Sequence, residues 1–184
     1  MVLRDLVKDV HTEAEQSPFA QLLMSGNITE QQYAHYLFQQ LHAYEALEER
    51  ADQLGILSEI PDIKRTPRIF HDYIDLNKKG KFDVFPSIQQ YVEYVKSLDE
   101  NRCWAHIYVR HFGDMYGGNM ISKRIPFGAH TMYQFEDKKG LIEYVRSKLN
   151  EDMADEARIV FGFAIGLFKE LREYYDIDTT TKIT

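Results

Sequence analysis

The chain has 184 residues, 44% of them hydrophobic and 28% charged; these are values of an ordinary globular protein, long enough to bury one substantial core and too apolar for wholesale disorder. Its 22 lysines and arginines stand against 29 aspartates and glutamates, a net charge of -7, which argues against a protein built to coat nucleic acid or an anionic membrane. One cysteine, Cys103, excludes an internal disulfide, and no run of about 18 apolar residues is present to span a bilayer. The N-terminal stretch carries Asp5 and Asp9 and lacks the apolar centre of a signal peptide, so a reducing cytoplasm is the expected setting.

Helical periodicity recurs through almost the whole chain, and no strand series stands out. An N-terminal helix is expected over residues 3–15. Thr29 and Gln32 have capping-box spacing, and Tyr33, Tyr36, Leu37, Leu41, Tyr44 and Leu47 then keep one apolar face to about residue 52. Thr66 with Pro67 starts another helix, which Gly80 is placed to end. Ser87 and Gln90 repeat the capping-box spacing before the stripe Ile88, Tyr91, Val92, Val95 and Leu98. Further helices are expected over 102–124, 137–150 and 154–175. No linker or repeat marks a domain boundary, so the expectation is one all-α domain, residues 1–177, of about seven or eight helices, followed by a polar tail, residues 178–184.

Several common chemistries lack their motifs: Cys-x-x-Cys, His-Glu-x-x-His, Gly-x-Ser-x-Gly and a phosphate-binding glycine loop are all missing. His42, Glu45, Glu48 and Glu49 invite a carboxylate metal site, but the Glu-x-x-His order of bundle di-iron proteins occurs nowhere, and a solvated acidic face is expected instead. The segment from Tyr108 to Asn119 is more informative. Gly113, Gly117 and Gly118 interrupt a helical pattern at a cost of about 1 kcal/mol each relative to alanine. Gly113 and Gly117 lie on one face, where bare backbone admits either a closely crossing helix or a flat ligand. Asp114 and Gly118 form the adjacent pair, which places a carboxylate next to that floor; it is either a solvated acid or one that holds ordered water against a ligand. His11 is the other candidate. An imidazole can bind heme iron and leave the opposite axial position open, although most histidines are surface or hydrogen-bonded residues. Arg4 lies seven residues earlier, two turns away on the same face. The 12 tyrosines and 11 phenylalanines are either core filler or the lining of a wide ligand.

Taken together, His11-Thr12-Glu13-Ala14-Glu15, Leu47-Glu48-Glu49 and Gly113-Asp114-Met115-Tyr116-Gly117-Gly118-Asn119 resemble the heme (haem) oxygenase family, from about Leu3 to Tyr175. The resemblance implies heme held between a proximal helix, with His11 as the iron ligand, and a distal helix kinked at Gly113, Gly117 and Gly118. Heme would be both substrate and cofactor, cleaved with O2 at a meso carbon, α expected, to biliverdin, carbon monoxide and ferrous iron. By position, Arg4, Lys8, Tyr108 and Arg146 would hold the propionates, Asp114 would order proton-donating water, Glu15 would support His11, and Phe161, Phe168 and Tyr108 would line the macrocycle. Ile142 occupies a position where the family often has lysine, and Lys139 could substitute. A non-catalytic heme carrier on the same scaffold would need His11 but not Asp114. Without a hydrophobic tail, the chain resembles the soluble members that draw electrons from ferredoxin. The clusters Lys64, Arg65 and Arg68; Lys123 and Arg124; and Lys138 and Lys139 are candidate docking cations. A bilin reductase would be a downstream partner.

Overall fold

The computed structural model describes residues 2–76 and 81–177, and every regular element among them is helical. The helices are α1 (Val2–Leu6), α2 (Lys8–Glu15), α3 (Pro18–Ser25), α4 (Glu30–Gln53), α5 (Thr66–Asp75), α6 (Pro86–Val95), α7 (Glu100–Arg124), α8 (Lys138–Arg146) and α9 (Ala154–Tyr174), with 3-10 turns at Pro61–Ile63, Thr131–Tyr133 and Glu151–Met153. This bears out the all-α expectation. Gly80, read as a helix stop, and the 178–184 tail lie outside the described residues.

The long helices α4 and α7 form the frame. α5 and α6 pack on α4, while α9 packs on α7 and carries α2 and α3. α4 starts where its sequence says it should. The Thr29 hydroxyl accepts from Gln32 N at 3.1 Å and the Gln32 side chain accepts from Thr29 N at 3.0 Å, a complete capping box. Its predicted stripe is buried apart from the half-buried Leu41, but so are His35, Gln39, Gln40 and Glu48. α4 is therefore surrounded by protein on more than one face, and each of these polar groups needs a partner from another element.

Three local expectations change. The 3–15 helix divides at Val7 (φ -115°, ψ 7°). The Leu6 carbonyl accepts from Arg158 of α9 at 3.2 Å, and the same guanidinium grips Asp9 at 2.7 and 3.0 Å, so α9 supports the break. Ser87 is no N-cap: Pro86 opens α6 after Phe85, and the Ser87 N–H and hydroxyl both donate to the Glu170 carboxylate on α9. A carboxylate from another helix thus does the capping. Finally, between the N-terminal segment and α4 stands a helix that the periodicity does not mark, opened by Pro18 and closed by Gly26, left-handed (φ 80°) at its C-cap.

Candidate functional site

α7 is a single 25-residue helix that runs through all three glycines, started by the Asp99 carboxylate accepting from Arg102 N at 2.8 Å. The glycines separate by face. At Gly113 and Gly117 a Cβ would meet no heavy atom within 4 Å, so this stretch of backbone lies bare. At Gly118 a Cβ would fall inside the Tyr133 side chain, 2.7 Å from Cγ and 2.8 Å from Cβ. Close packing against the Thr131–Tyr133 turn accounts for Gly118, which is buried beneath the helix and is not part of the bare floor.

Asp114 points inward beside Gly118, buried, and receives a short hydrogen bond from the Tyr44 hydroxyl of α4. The same hydroxyl lies 2.9 Å from the Arg110 carbonyl. Burial pushes the Asp114 carboxyl above the ordinary carboxylate range, although the Tyr44 hydrogen bond and the charges of Arg110 and Arg65 pull the other way. Burial likewise raises Tyr44 well above the usual phenol value. Around them stand Tyr36, whose hydroxyl accepts from Gln40 at 2.8 Å, and Arg110, whose guanidinium lies 4.1 Å above the Tyr91 ring. Gln40 Oε1 is buried without a hydrogen-bond partner, and Arg110 Nε and Nη2 and the Tyr133 hydroxyl are buried with no well-aligned partner beyond the neighbouring phenols of Tyr91 and Tyr33. Such groups suit a chamber whose remaining partners are water or ligand.

Glu48 departs from the solvated-face expectation. It is buried and accepts from Arg65 N (2.6 Å), Thr66 N (2.9 Å), the Thr66 hydroxyl (2.5 Å) and His111 Nε2 (2.9 Å). Against the cost of burial, these bonds hold its carboxyl below the ordinary range. Glu45 and Glu49 are exposed, and no group of three or more potential metal ligands occurs among the described residues.

On the other wall, His11 stands on α2, with its side chain 52% exposed and Nε2 3.3 Å from Glu15. Its ring meets Phe161 of α9 edge-to-face at 5.7 Å. Phe161, Val7, Ala14 and Ala157 form a small apolar cluster against which Tyr108 and Val109 of α7 pack. α9 therefore bridges the histidine helix and the glycine helix. Tyr108 is half-buried, and its phenol is pushed up by burial against the opposing charges of Arg4 and Arg146. Because the helix breaks at Val7, the seven-residue spacing from Arg4 to His11 does not run along one helix. Lys8 is exposed one turn before His11. Lys138, rather than Lys139, reaches α7, donating to the Met115 carbonyl at 2.8 Å. Phe168 stacks on Phe19 and Tyr36 and belongs to the main core.

The first basic cluster is not a docking face. Arg65 is fully buried: it donates to the carbonyls of Ile63, Met132, Gln134 and Asp62 and lies 3.7 Å over Phe135. Lys64 pairs with Asp52 at 2.7 Å. Lys123, Arg124, Lys138 and Lys139 are exposed.

Tyr44, Arg110 and Glu48 are site residues that periodicity could not find, since a buried polar residue is chosen by partners far away in sequence. The available signal was Tyr44 on the predicted α4 stripe and Arg110 one turn before Asp114.

The residues fit a flat, wide ligand bearing a metal and carboxylates: an imidazole on one wall, bare backbone where a Cβ would otherwise stand on the other, and cations at one edge. These are features of a helical protein in which α9 joins the histidine helix α2 to the glycine helix α7. The family model described as heme oxygenase matches residues 1–170, and the chain belongs to that family. It is 25% identical to heme oxygenase 1 of Synechocystis over 92% of this chain and 82% of that protein, and 26% identical to heme oxygenase 1 of Nostoc over 92% and 84%. Its fold is similar to the crystal structure of the Synechocystis protein in complex with heme (TM-score 0.80, 22% identity, 94% of this chain and 91% of that one).

Proposed function

We infer that this chain is a heme oxygenase: it takes heme as substrate and cofactor and, with O2 and electrons from a soluble ferredoxin, cleaves a meso carbon, α expected, to yield biliverdin, carbon monoxide and ferrous iron. The observation that carries this reading is an exposed imidazole, His11, against Phe161 of α9, whose cluster also takes Tyr108 and Val109 of α7, together with the bare backbone of α7 at Gly113 and Gly117 beside a buried carboxyl, in a member of this family. Heme, when bound, supplies an iron centre that activates O2 and the carbon that is oxidised.

The chain's residues do the rest. His11 offers a ring nitrogen, and Glu15 fixes the ring's orientation through the other. Arg4, Lys8, Tyr108 and Arg146 hold the propionate edge, with arginine suited to bidentate carboxylate binding. Gly113 and Gly117 let the macrocycle approach the helix axis. Asp114, with a carboxyl raised by burial and a Tyr44 donor behind it, holds and orients water that carries protons to the distal face. The exposed Lys123, Arg124, Lys138 and Lys139 suit an acidic ferredoxin. A cytoplasmic setting and a bilin reductase that consumes the biliverdin belong to the same reading.

Heme titration followed by ferredoxin, its reductase, NADPH and O2 tests it. Biliverdin and carbon monoxide are expected, and an unchanged heme spectrum overturns the reading. Bound but unconsumed heme would mark a carrier. His11→Ala is expected to shift the Soret band and abolish most turnover; an unaltered band refutes the ligand assignment.

A further inference from the structure

Beside the bare stretch of α7, Tyr108, Phe112 and Tyr116 form one ridge at i, i+4 and i+8, edge-to-face at 5.6 and 5.9 Å. Tyr116, at its end, is 56% exposed. Its hydroxyl accepts from Arg146 Nη2 at 3.1 Å, while Lys138 Nζ lies 5.8 Å from its ring and is tied to the Met115 carbonyl. The two ends of α8 thus bring two cations onto one phenol. Neither cation is within ion-pair distance of a carboxylate among the described residues. They are braced instead by neutral acceptors, a phenol and a carbonyl, which leaves their charge available to an incoming anion.

We propose that Tyr116, bracing Arg146 with Lys138 alongside, is a positioning residue for a carboxylate of the substrate, so that this corner of α7 and α8 sets which way round a propionate-bearing macrocycle enters. The inference rests on the heme reading, in which Arg146 already holds a propionate, and extends it to Tyr116 and Lys138, to which the resemblance assigns no such role. A phenol that accepts from Arg146 keeps its own proton to donate. A carboxylate docked here therefore receives one hydrogen bond from the guanidinium and one from the phenol, a charge-assisted pair. Because the ridge stands next to Gly113 and Gly117, fixing that carboxylate fixes the rotation of the ring over the bare backbone, and with it the meso carbon presented for cleavage.

The test compares heme with its dimethyl ester, in which both propionates are masked. Dissociation constants of both are measured for the wild type, Tyr116→Phe and Lys138→Met, together with the biliverdin isomers formed from heme. Tyr116→Phe keeps the exposed ring, so unchanged thermal unfolding is expected. One hydrogen bond to a charged group corresponds to about a tenfold loss of affinity for heme, with ester binding unchanged and a shift in isomer ratio. Lys138→Met is expected to lose about threefold, an effect erased by high salt. Acid-over-ester discrimination and isomer ratio identical in Tyr116→Phe and wild type overturn the proposal while leaving the heme reading intact. Failure of the wild type to bind heme overturns both.

Discussion

The three glycines of α7 make opposite demands on stability, and alanine at each separates them. In a helix interior alanine is favoured over glycine by about 1 kcal/mol. At Gly113 and Gly117 nothing opposes that gain, because the space a Cβ would take is open. At Gly118 the same gain meets Tyr133, with Cγ and Cβ at 2.7 and 2.8 Å from the new atom. Tyr133 cannot readily yield: its turn is pinned by Thr131 N and Met132 N donating to Asp72 at 2.9 and 2.8 Å and by Arg65 on the Met132 carbonyl. Overpacking of this kind costs about 1–3 kcal/mol. The helix-propensity gain is common to all three positions, so the difference between Gly113→Ala and Gly118→Ala isolates the packing cost. For a chain of this size, about 1 kcal/mol moves Tm by about 2–4 °C. Gly113→Ala and Gly117→Ala should each raise Tm by that amount, and Gly118→Ala should leave it unchanged or lower it by up to twice as much, followed by circular dichroism at 222 nm. The two stabilised variants should also bind heme more weakly, since their methyl groups occupy the proposed cradle. A common direction of Tm shift at all three positions would refute the facial assignment, and undiminished heme affinity in Gly113→Ala and Gly117→Ala would refute the cradle.

Asp114→Asn should lose most biliverdin formation while retaining heme, because an amide oxygen still accepts from Tyr44 but the carboxyl is gone. Its stability should show the opposite trend: a carboxyl raised above 3.8 by burial binds its proton more tightly folded than unfolded, so ionising it costs stability as pH rises from 3.8. The Tm difference, Asn minus Asp, should therefore grow from pH 4 to pH 7; a constant difference refutes the buried-carboxyl account. Glu156 runs the other way. Burial alone would raise it, but hydrogen bonds from His106, Arg102 and Tyr94 bring it from 4.5 to about 2. Its contribution is complete above pH 4.5 and lost as pH falls toward about 2. Glu156→Gln should have a lower urea midpoint at pH 7, read by the fluorescence of the buried Trp104, and the two curves should converge near pH 2. Parallel curves would show that the cluster does not titrate as a unit.

How much of this was legible in the sequence depends on the range of the interaction concerned. The stripe of α4 and the Thr29–Gln32 box are local patterns, and the structure bears them out; the open face shared by Gly113 and Gly117 is also local, whereas the packing of Gly118 on Tyr133 is not. The division at Val7 and the capping of Ser87 were not, because the deciding atoms sit on α9, in Arg158 and Glu170. Arg65 shows the limit most clearly. In a Lys-Arg-x-x-Arg neighbourhood it reads as one more surface cation, yet four carbonyls and the Phe135 ring enclose it. Of the candidate site, Gly113, Asp114 and Gly117 stand out by spacing, His11 stands out only within its family-like stretch because its spacing from Arg4 is broken at Val7, and Tyr44, 70 residues from Asp114, is visible only as an apolar stripe member.

That last case recasts the aromatic content. Tyr33, Tyr36, Tyr44 and Tyr91 are buried, burial raises all four phenols, and each hydroxyl has a named partner: His130 for Tyr33, Gln40 for Tyr36, Asp114 for Tyr44 and His106 for Tyr91. Phenylalanine would fill the same volume and leave those partners short of a donor or acceptor at a cost of about 1–3 kcal/mol apiece. Tyrosine supplies a ring for the core and one oxygen for the polar chamber, and this matters most where a carboxyl must be kept inside an apolar bundle. At Tyr44 the choice of tyrosine over phenylalanine therefore follows from Asp114: a ring that packs α4 into the core also holds the carboxyl in place with its hydroxyl.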